Sequence, residues 1–162
     1  MRISLIVTTY NRPDALFLVL KSVENQLIKP FEIIVADDGS DNRTKNIIDE
    51  FKSDSKINVW HSFQNDIGFR AARSRNKAIA KAKGEYVILI DGDMILHPKF
   101  ILDHSRNAEP GCFIQGSRVL LSSLKTKNAL NTKKISFNNF SFGLKNRKNA
   151  IHSNILASFF SI

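Results

Sequence analysis

Short apolar runs bounded by turn residues recur along most of the chain, and such runs are typical of buried strands. We predict five strands on this basis: Ile3 to Thr8, Phe31 to Ala36, Ile57 to His61, Tyr86 to Ile90 and Cys112 to Leu120. Beyond Leu121 serine, asparagine and lysine dominate, and neither strands nor helices can be placed. The pattern therefore predicts a structured part over residues 1–120 and a different region over 121–162.

Amphipathic segments lie between these runs, with apolar residues at helical spacing. They predict helices over Pro13 to Leu27, Arg43 to Phe51 and Phe69 to Ala82. Asn11 is the predicted N-cap of the first helix, and Gly84 is predicted to stop the third. Strands that alternate with helices imply an α/β fold with a mostly parallel sheet and right-handed crossovers.

Polar clusters follow four successive strands, at residues 8–11, 37–40, 65–70 and 91–93. In open α/β sheets, ligands bind where the carboxyl ends of the strands meet. Asp91 and Asp93 offer hard oxygen ligands suited to Mg²⁺ or Mn²⁺, and such an ion usually also holds the phosphates of a nucleotide. The alternative is that Asp91-Gly92-Asp93 forms an ordinary turn with no role in metal binding.

The other clusters contain groups that suit a nucleoside. A carboxylate at Asp37 or Asp38 can accept hydrogen bonds from an imide N–H or from ribose hydroxyls. Tyr10 offers an aromatic face, and Arg70 can donate to base carbonyls or phosphate oxygens. The structural alternatives are a turn at Asp38-Gly39, a helix cap at Asn11, and a solvated helix face formed by Arg70, Arg73 and Arg75. Neither G-x-G-x-x-G nor G-x-x-x-x-G-K-[ST] occurs, which argues against a dinucleotide dehydrogenase and a P-loop NTPase.

Chain length and composition indicate the size of the domain and the compartment of the protein. The 162 residues suit one domain with a real core. The single cysteine, Cys112, excludes an internal disulfide and is expected to be a small buried residue. No stretch is long and apolar enough to span a bilayer, and no signal-peptide pattern precedes the first strand. We therefore expect a cytoplasmic protein.

The net charge is +9, but residues 110–162 carry 8 Lys/Arg and no Asp or Glu. This basic stretch could meet phosphates, nucleic acid or the inner face of the membrane, or it could be a solvated surface.

Taken together, the motifs resemble glycosyltransferase family 2. They are residues 5–12 (LIVTTYNR), 35–40 (VADDGS), 65–68 (NDIG), 73–78 (RSRNKA) and 84–93 (GEYVILIDGD), in the family's order. The resemblance implies the GT-A fold, a nucleotide-diphosphate sugar as donor, and Mn²⁺ or Mg²⁺ as cofactor. By resemblance, Asp93 ligates the metal and Asp91 reaches the ribose or the metal. The implied nucleoside pocket comprises Thr8, Tyr10, Asp37 or Asp38, and Arg70, with Asn76 supporting the nucleotide site.

The resemblance predicts an inverting transfer of a hexose from a UDP-sugar to a saccharide or lipid-linked acceptor, in cell-surface polysaccharide synthesis. Inverting members use a later carboxylate as general base, yet no acid follows Glu109, and the later His152 is a poor substitute. A truncated chain, a split gene or a decayed gene would each look like this. We expect the stretch from Leu121 to Ile162 to be poorly ordered or to expose apolar surface.

Three alternatives stay open on sequence grounds. A catalytically inactive nucleotide-sugar-binding module would keep the donor motifs and lack only the base. A nucleotidyltransferase is disfavoured, because the glycine- and lysine-rich phosphate loop expected near the first strand is absent. A basic nucleic-acid-binding protein is disfavoured because aromatic residues are not interleaved with the basic ones on a strand.

Overall fold

A four-stranded parallel sheet organises the first part of the computed structural model, which describes residues 1–137 and 142–150. Its strands are β1 (Ile3–Thr9), β2 (Glu32–Asp37), β3 (Asn58–Phe63) and β4 (Tyr86–Asp91). The order across the sheet is β3-β2-β1-β4, so β1 pairs on both sides. The predicted parallel α/β fold is confirmed, and these four strands lie within two residues of their predicted bounds.

Helices cover both faces of the sheet because successive strand residues point to opposite sides. The helices are α1 (Pro13–Glu24), α2 (Asn42–Asp54), α3 (Ala71–Ile79) and α4 (Phe100–Asn107). Leu5 and Val7 belong to the larger apolar cluster, which also takes in residues of α1, α2 and α4. Ile6 points to the other face and packs in a smaller cluster with Ala78 of α3. The sheet thus has a thick side and a thin side.

Two local predictions about the first helix were wrong. Arg12, not Asn11, occupies the N-cap position, and its side chain makes no capping bond. Asn11 instead adopts a left-handed backbone with φ 50° and accepts a hydrogen bond from the Asp41 N–H at 2.9 Å. The helix ends at Glu24 rather than at Leu27. The side chain of Gln26 then bonds the carbonyl of His97 and the N–H of Ile101, which fixes the chain beyond the helix end.

The predicted strand from Cys112 to Leu120 is also wrong, since only Leu120–Leu121 forms a strand. A strand needs a partner for its ladder hydrogen bonds, and residues 112–119 have none. Cys112 is consequently exposed, not buried. The sequence reading also missed α4, whose single turn of apolar residues is too short to show a clear helical stripe.

The chain divides into two compact units, Met1–Cys112 and Phe113–Ile162. In the second unit, β5 (Leu120–Leu121) pairs antiparallel with β6 (Leu144–Lys145), and α5 (Ser123–Thr132) lies between them in sequence. The Ser122 side chain caps α5 by accepting from the Lys125 N–H. His152 lies outside the described residues. Across the described ranges, every helix is too short or too polar to traverse a bilayer.

A buried carboxylate fastens the amino end of the sheet. Glu32 of β2 accepts from the Ser4 hydroxyl at 2.6 Å and from the Lys83 N–H at 2.6 Å. Ser4 accepts in turn from the Gly84 N–H at 2.8 Å. One fully buried side chain thus ties together β1, β2 and the turn that leads into β4.

Replacing Glu32 with leucine is expected to lower the free energy of unfolding by roughly 2 to 4 kcal/mol. The Ser4 hydroxyl and the Lys83 N–H would lose their acceptor, and an unsatisfied buried donor costs about 1–3 kcal/mol. Urea titration followed by circular dichroism measures the change. The control Glu50→Leu alters an exposed position on α2 and should change stability by less than about 0.5 kcal/mol. Equal effects of the two substitutions would contradict the role of Glu32.

Candidate functional site

Strand register brings the polar clusters to one edge of the sheet. Thr8 of β1 lies opposite Asp91 of β4, and Thr9 lies opposite Asp37 of β2. Because all four strands are parallel, the loops that follow them leave from the same side. The edge therefore combines carboxylates from two strands with hydroxyls from the strand between them.

Asp37 is held inside the protein rather than at its surface. It is 1% exposed, and one carboxylate oxygen lies 2.8 Å from Nε2 of His61 on β3. The other oxygen accepts from the Ser40 N–H at 2.8 Å. Burial by itself raises the pKa of Asp37, but the hydrogen bonds from His61 and Ser40 outweigh it and hold the pKa below its ordinary value. Asp37 is thus a charged anchor for the loop after β2.

Asp38 fastens a second loop to the same point. It is 4% exposed, and its carboxylate accepts from the Arg70 N–H at 2.8 Å and from the Gln64 side chain at 2.5 Å. Residues 64–70 form the loop between β3 and α3. Asp38 therefore fixes both ends of this loop, and the position of Arg70 depends on it.

Tyr10 and Arg70 flank the same loop. The Tyr10 hydroxyl donates to Asp66 at 2.9 Å, and this bond to a carboxylate raises the tyrosine pKa. The ring is half exposed, at 49%. The Arg70 guanidinium donates to the Asn65 carbonyl at 2.7 Å, while its buried Nε has no hydrogen-bond partner among the described residues. The Tyr10 ring and the Arg70 guanidinium are therefore both tied by hydrogen bonds to a loop that is fixed at both ends.

Asp91 has partners that the sequence reading did not identify. Its carboxylate accepts from the Thr8 hydroxyl at 3.2 Å and lies 3.6 Å from the Arg75 guanidinium of α3. Arg75, Asp91 and Met94 line a small cavity of about 180 Å³. The sequence places Arg75 in the third predicted helix, but only the packing of α3 against β1 and β2 brings its guanidinium to Asp91.

Asp93 is exposed and makes neither a hydrogen bond nor an ion pair within residues 1–137 and 142–150. No group of three or more His, Cys, Asp or Glu side chains there could hold a metal by itself. Mg²⁺ commonly binds through only one or two carboxylates, with substrate phosphates and water completing the shell. The residues fit a hard divalent ion that arrives with a diphosphate.

Asn76 stands apart from these contacts. It is exposed on α3, and in the described part of the chain its side chain makes no hydrogen bond. The structure thus brings Thr8, Asp37, Asp38 and Asp91 to one edge, adds Arg70 and Tyr10 through the loop at 64–70, and leaves Asn76 without a link to them.

Comparison with known proteins connects this arrangement to one family. A model described as Glycosyl transferase family 2 matches residues 4–161. The hyaluronan synthase of Pasteurella multocida is 39% identical over 108 residues, which cover 66% of this chain and 11% of that protein.

Two solved structures share the fold. S. aureus TarS 1-349 in complex with UDP aligns with a TM-score of 0.55 at 28% identity, over 65% of this chain and 31% of that one. Mannosyltransferase PcManGT from Pyrobaculum calidifontis, in complex with GDP-Man and Mn²⁺, aligns with a TM-score of 0.59 at 22% identity, over 67% and 33%. The predicted GT-A type of fold is confirmed. The chain spans only 11% to 33% of the length of these three proteins.

Two glycines offer a test of how the loop at 64–70 is seated. Gly39 has φ +97°, and a Cβ there would lie 2.5 Å from the backbone of Asp66. Gly39→Ala is expected to cost roughly 2 to 5 kcal/mol of stability, because left-handed strain and a backbone clash act together. The loop should also lose amide protection in hydrogen exchange.

Gly68→Ala is the matched control, because Gly68 also has positive φ, at +73°, but nothing lies within 4 Å of its Cβ position. This variant should lose only the free energy of unfolding that corresponds to the backbone strain, about 1–2 kcal/mol. If the two variants are equally stable, the close seating of Asp66 on Gly39 is wrong.

Proposed function

The chain belongs to glycosyl transferase family 2, and we propose that it binds a nucleotide-diphosphate sugar at the carboxyl edge of its sheet and acts as a glycosyltransferase. The reaction we propose moves a hexose from a UDP-sugar to a saccharide or lipid-linked acceptor, in synthesis of a surface polysaccharide. One observation carries the proposal: parallel register places Thr8 beside Asp91 and Thr9 beside Asp37, and the exposed Asp93 follows Asp91 by two positions. The complex of the relative TarS with UDP supports the choice of a uridine nucleotide.

In the proposed complex, the nucleoside lies between the half-exposed ring of Tyr10 and the guanidinium of Arg70. Stacking on an aromatic ring and donation from a guanidinium suit the faces and carbonyls of a base. Asp38 would act by holding Arg70 in place, because its carboxylate accepts a hydrogen bond from the backbone N–H of Arg70. Asp37 would act by anchoring its loop, since His61 and Ser40 already occupy its oxygens.

Asp93, with Asp91 beside it, would hold Mn²⁺ or Mg²⁺ together with the diphosphate. Such an ion, when bound, stabilises the negative charge that develops on a leaving diphosphate. Asp91 has less freedom for this role, because Thr8 and Arg75 contact its carboxylate. We therefore assign the main metal contact to Asp93. The Mn²⁺ bound in the mannosyltransferase of the same fold is consistent with this assignment.

A nucleotide-sugar-binding module without transfer activity is the second candidate function. It is favoured by the sequence after Glu109, which contains no Asp or Glu. An inverting transfer needs a base within hydrogen-bond reach of the acceptor hydroxyl, and this is typically worth about 10² to 10⁴ in rate. Asp37, Asp38 and Asp91 already have partners at the donor edge.

We place either activity in the cytoplasm, at the inner face of the membrane where the basic stretch could contact lipid. Cell fractionation would test this location. Recovery of the protein outside the cytoplasm and away from the inner membrane would contradict it.

Nucleotide binding tests the metal assignment. UDP is expected to bind about tenfold or more tightly with Mn²⁺ than with EDTA, as measured by calorimetric titration. Asp93→Asn should remove most of this difference, because the ion would lose its free carboxylate. The control Asp49→Asn, at an exposed position on α2, should leave it unchanged. Metal-independent binding of UDP by the unaltered chain would refute the site.

A radiolabelled-donor assay separates the two candidate functions. With UDP-hexose, Mn²⁺ and candidate saccharide acceptors, we expect this 162-residue chain to release free sugar slowly and to transfer little, since no carboxylate follows Glu109 to serve as the base. Rapid acceptor-dependent transfer would instead show that a residue of this chain not recognised as the base performs that role.

A further inference from the structure

The second unit carries a groove of its own. It has a volume of about 610 Å³, within the range of pockets that enclose small ligands. Side chains of α5 line it together with Phe137 and Phe142. The α5 residues that line it include Leu124, Lys127, Asn128 and Asn131. These four positions follow the spacing i, i+3, i+4, i+7, so one face of the helix is turned to the groove.

The charge of the groove is entirely positive. Residues 110–162 contain no acid, so the second unit offers its lysines no carboxylate side chain. The ammonium groups of Lys127 and Lys134 have neither a hydrogen bond nor an ion pair in the part of the unit that the structure describes. Lys125 differs, because it donates to the Phe142 carbonyl at 2.9 Å and lies 5.7 Å from the ring centre of Phe137. Lys125 therefore shapes the groove, while the other two lysines remain available to a ligand.

The remaining lining combines amides with aromatic rings. The side-chain amides of Asn128 and Asn131 are exposed and make no hydrogen bond to described residues. Amides can both donate to and accept from hydroxyl groups, and rings can cover an apolar face of a ligand. Two ammonium groups without partners among the described residues, two neighbouring side-chain amides and an aromatic ring together suit a ligand that has many hydroxyl groups and regularly spaced negative charges.

We propose that this groove binds an anionic glycan, a saccharide chain that carries carboxylate groups. The proposal rests on the proposed function, since it names the chemical class of the acceptor. A lipid bilayer fits less well. Leu124 and Phe142 are 79% and 94% exposed, but the same face of α5 carries a lysine and two asparagines instead of a continuous apolar stripe.

Binding of an oligogalacturonate hexamer to the full chain, without nucleotide or metal, tests the proposal. The hexamer should bind measurably in calorimetric titration, and neutral maltohexaose should bind at least about tenfold more weakly. The double variant Lys127→Gln/Lys134→Gln should lose about five- to tenfold in affinity, from two partly exposed charge pairs. Asn128→Ala/Asn131→Ala should also weaken binding of the hexamer.

The matched control is Lys45→Gln/Lys52→Gln, which removes the same charge from exposed positions on α2 of the first unit and should leave binding unchanged. All variants should keep the circular dichroism and the UDP affinity of the unaltered chain, so a failed groove is distinguishable from a failed donor site.

Three results would overturn the proposal: equal affinity for maltohexaose, equal loss in the α2 control, or displacement of the hexamer by phosphatidylglycerol vesicles that bind more tightly. The last result would assign the groove to a membrane surface.

Discussion

The parallel pairing of β1 on both of its sides is the constraint on which the rest of the first unit depends. Once Thr8 is opposite Asp91 and Thr9 is opposite Asp37, the loops after three strands must leave from one edge. A slip of one residue would turn every side chain of β1 to the other face. The fully buried positions Leu5, Ile6 and Val7 make such a slip costly, because they pack on both faces. Packing of the core thereby fixes the geometry of the polar edge.

Buried carboxylates then convert this edge into fixed loops. Asp37, Asp38 and Glu32 are nearly inaccessible to solvent, and each accepts two hydrogen bonds. A buried charge is tolerated only when it is hydrogen-bonded in this way. Of the four aspartates at the candidate donor site, Asp37 and Asp38 hold the loops and Asp91 contacts Thr8 and Arg75, so the exposed Asp93 is left free to bind an ion. Differences in burial and in hydrogen-bond partners thus explain how aspartates at one edge can have different roles.

The second unit has another physical character. The described residues there form one antiparallel pair of two-residue strands, the helix α5 and a short 3₁₀ helix over Arg147–Ala150, with strongly exposed apolar and basic side chains. The expectation that this stretch would expose apolar surface holds for Leu124 and Phe142. Residues 110–162 contain no Asp or Glu, so the unit offers its lysines no carboxylate side chain and its electrostatics favour an external anion.

The sequence alone determined the alternation of strands and helices, the parallel sheet and the placing of polar clusters after the strands. These features follow from local periodicity and from turn residues, which act over a few positions. The prediction that Gly84 stops the third helix was wrong, because α3 already ends at Ile79. The tertiary structure decided which polar groups are free. Asn11 bonds a loop instead of capping a helix, Asp37 is buried against His61, and residues 112–119 lack a strand partner. Arg75 reaches Asp91 only because α3 packs over the sheet. Each outcome depends on contacts between distant parts of the chain, which no local pattern records.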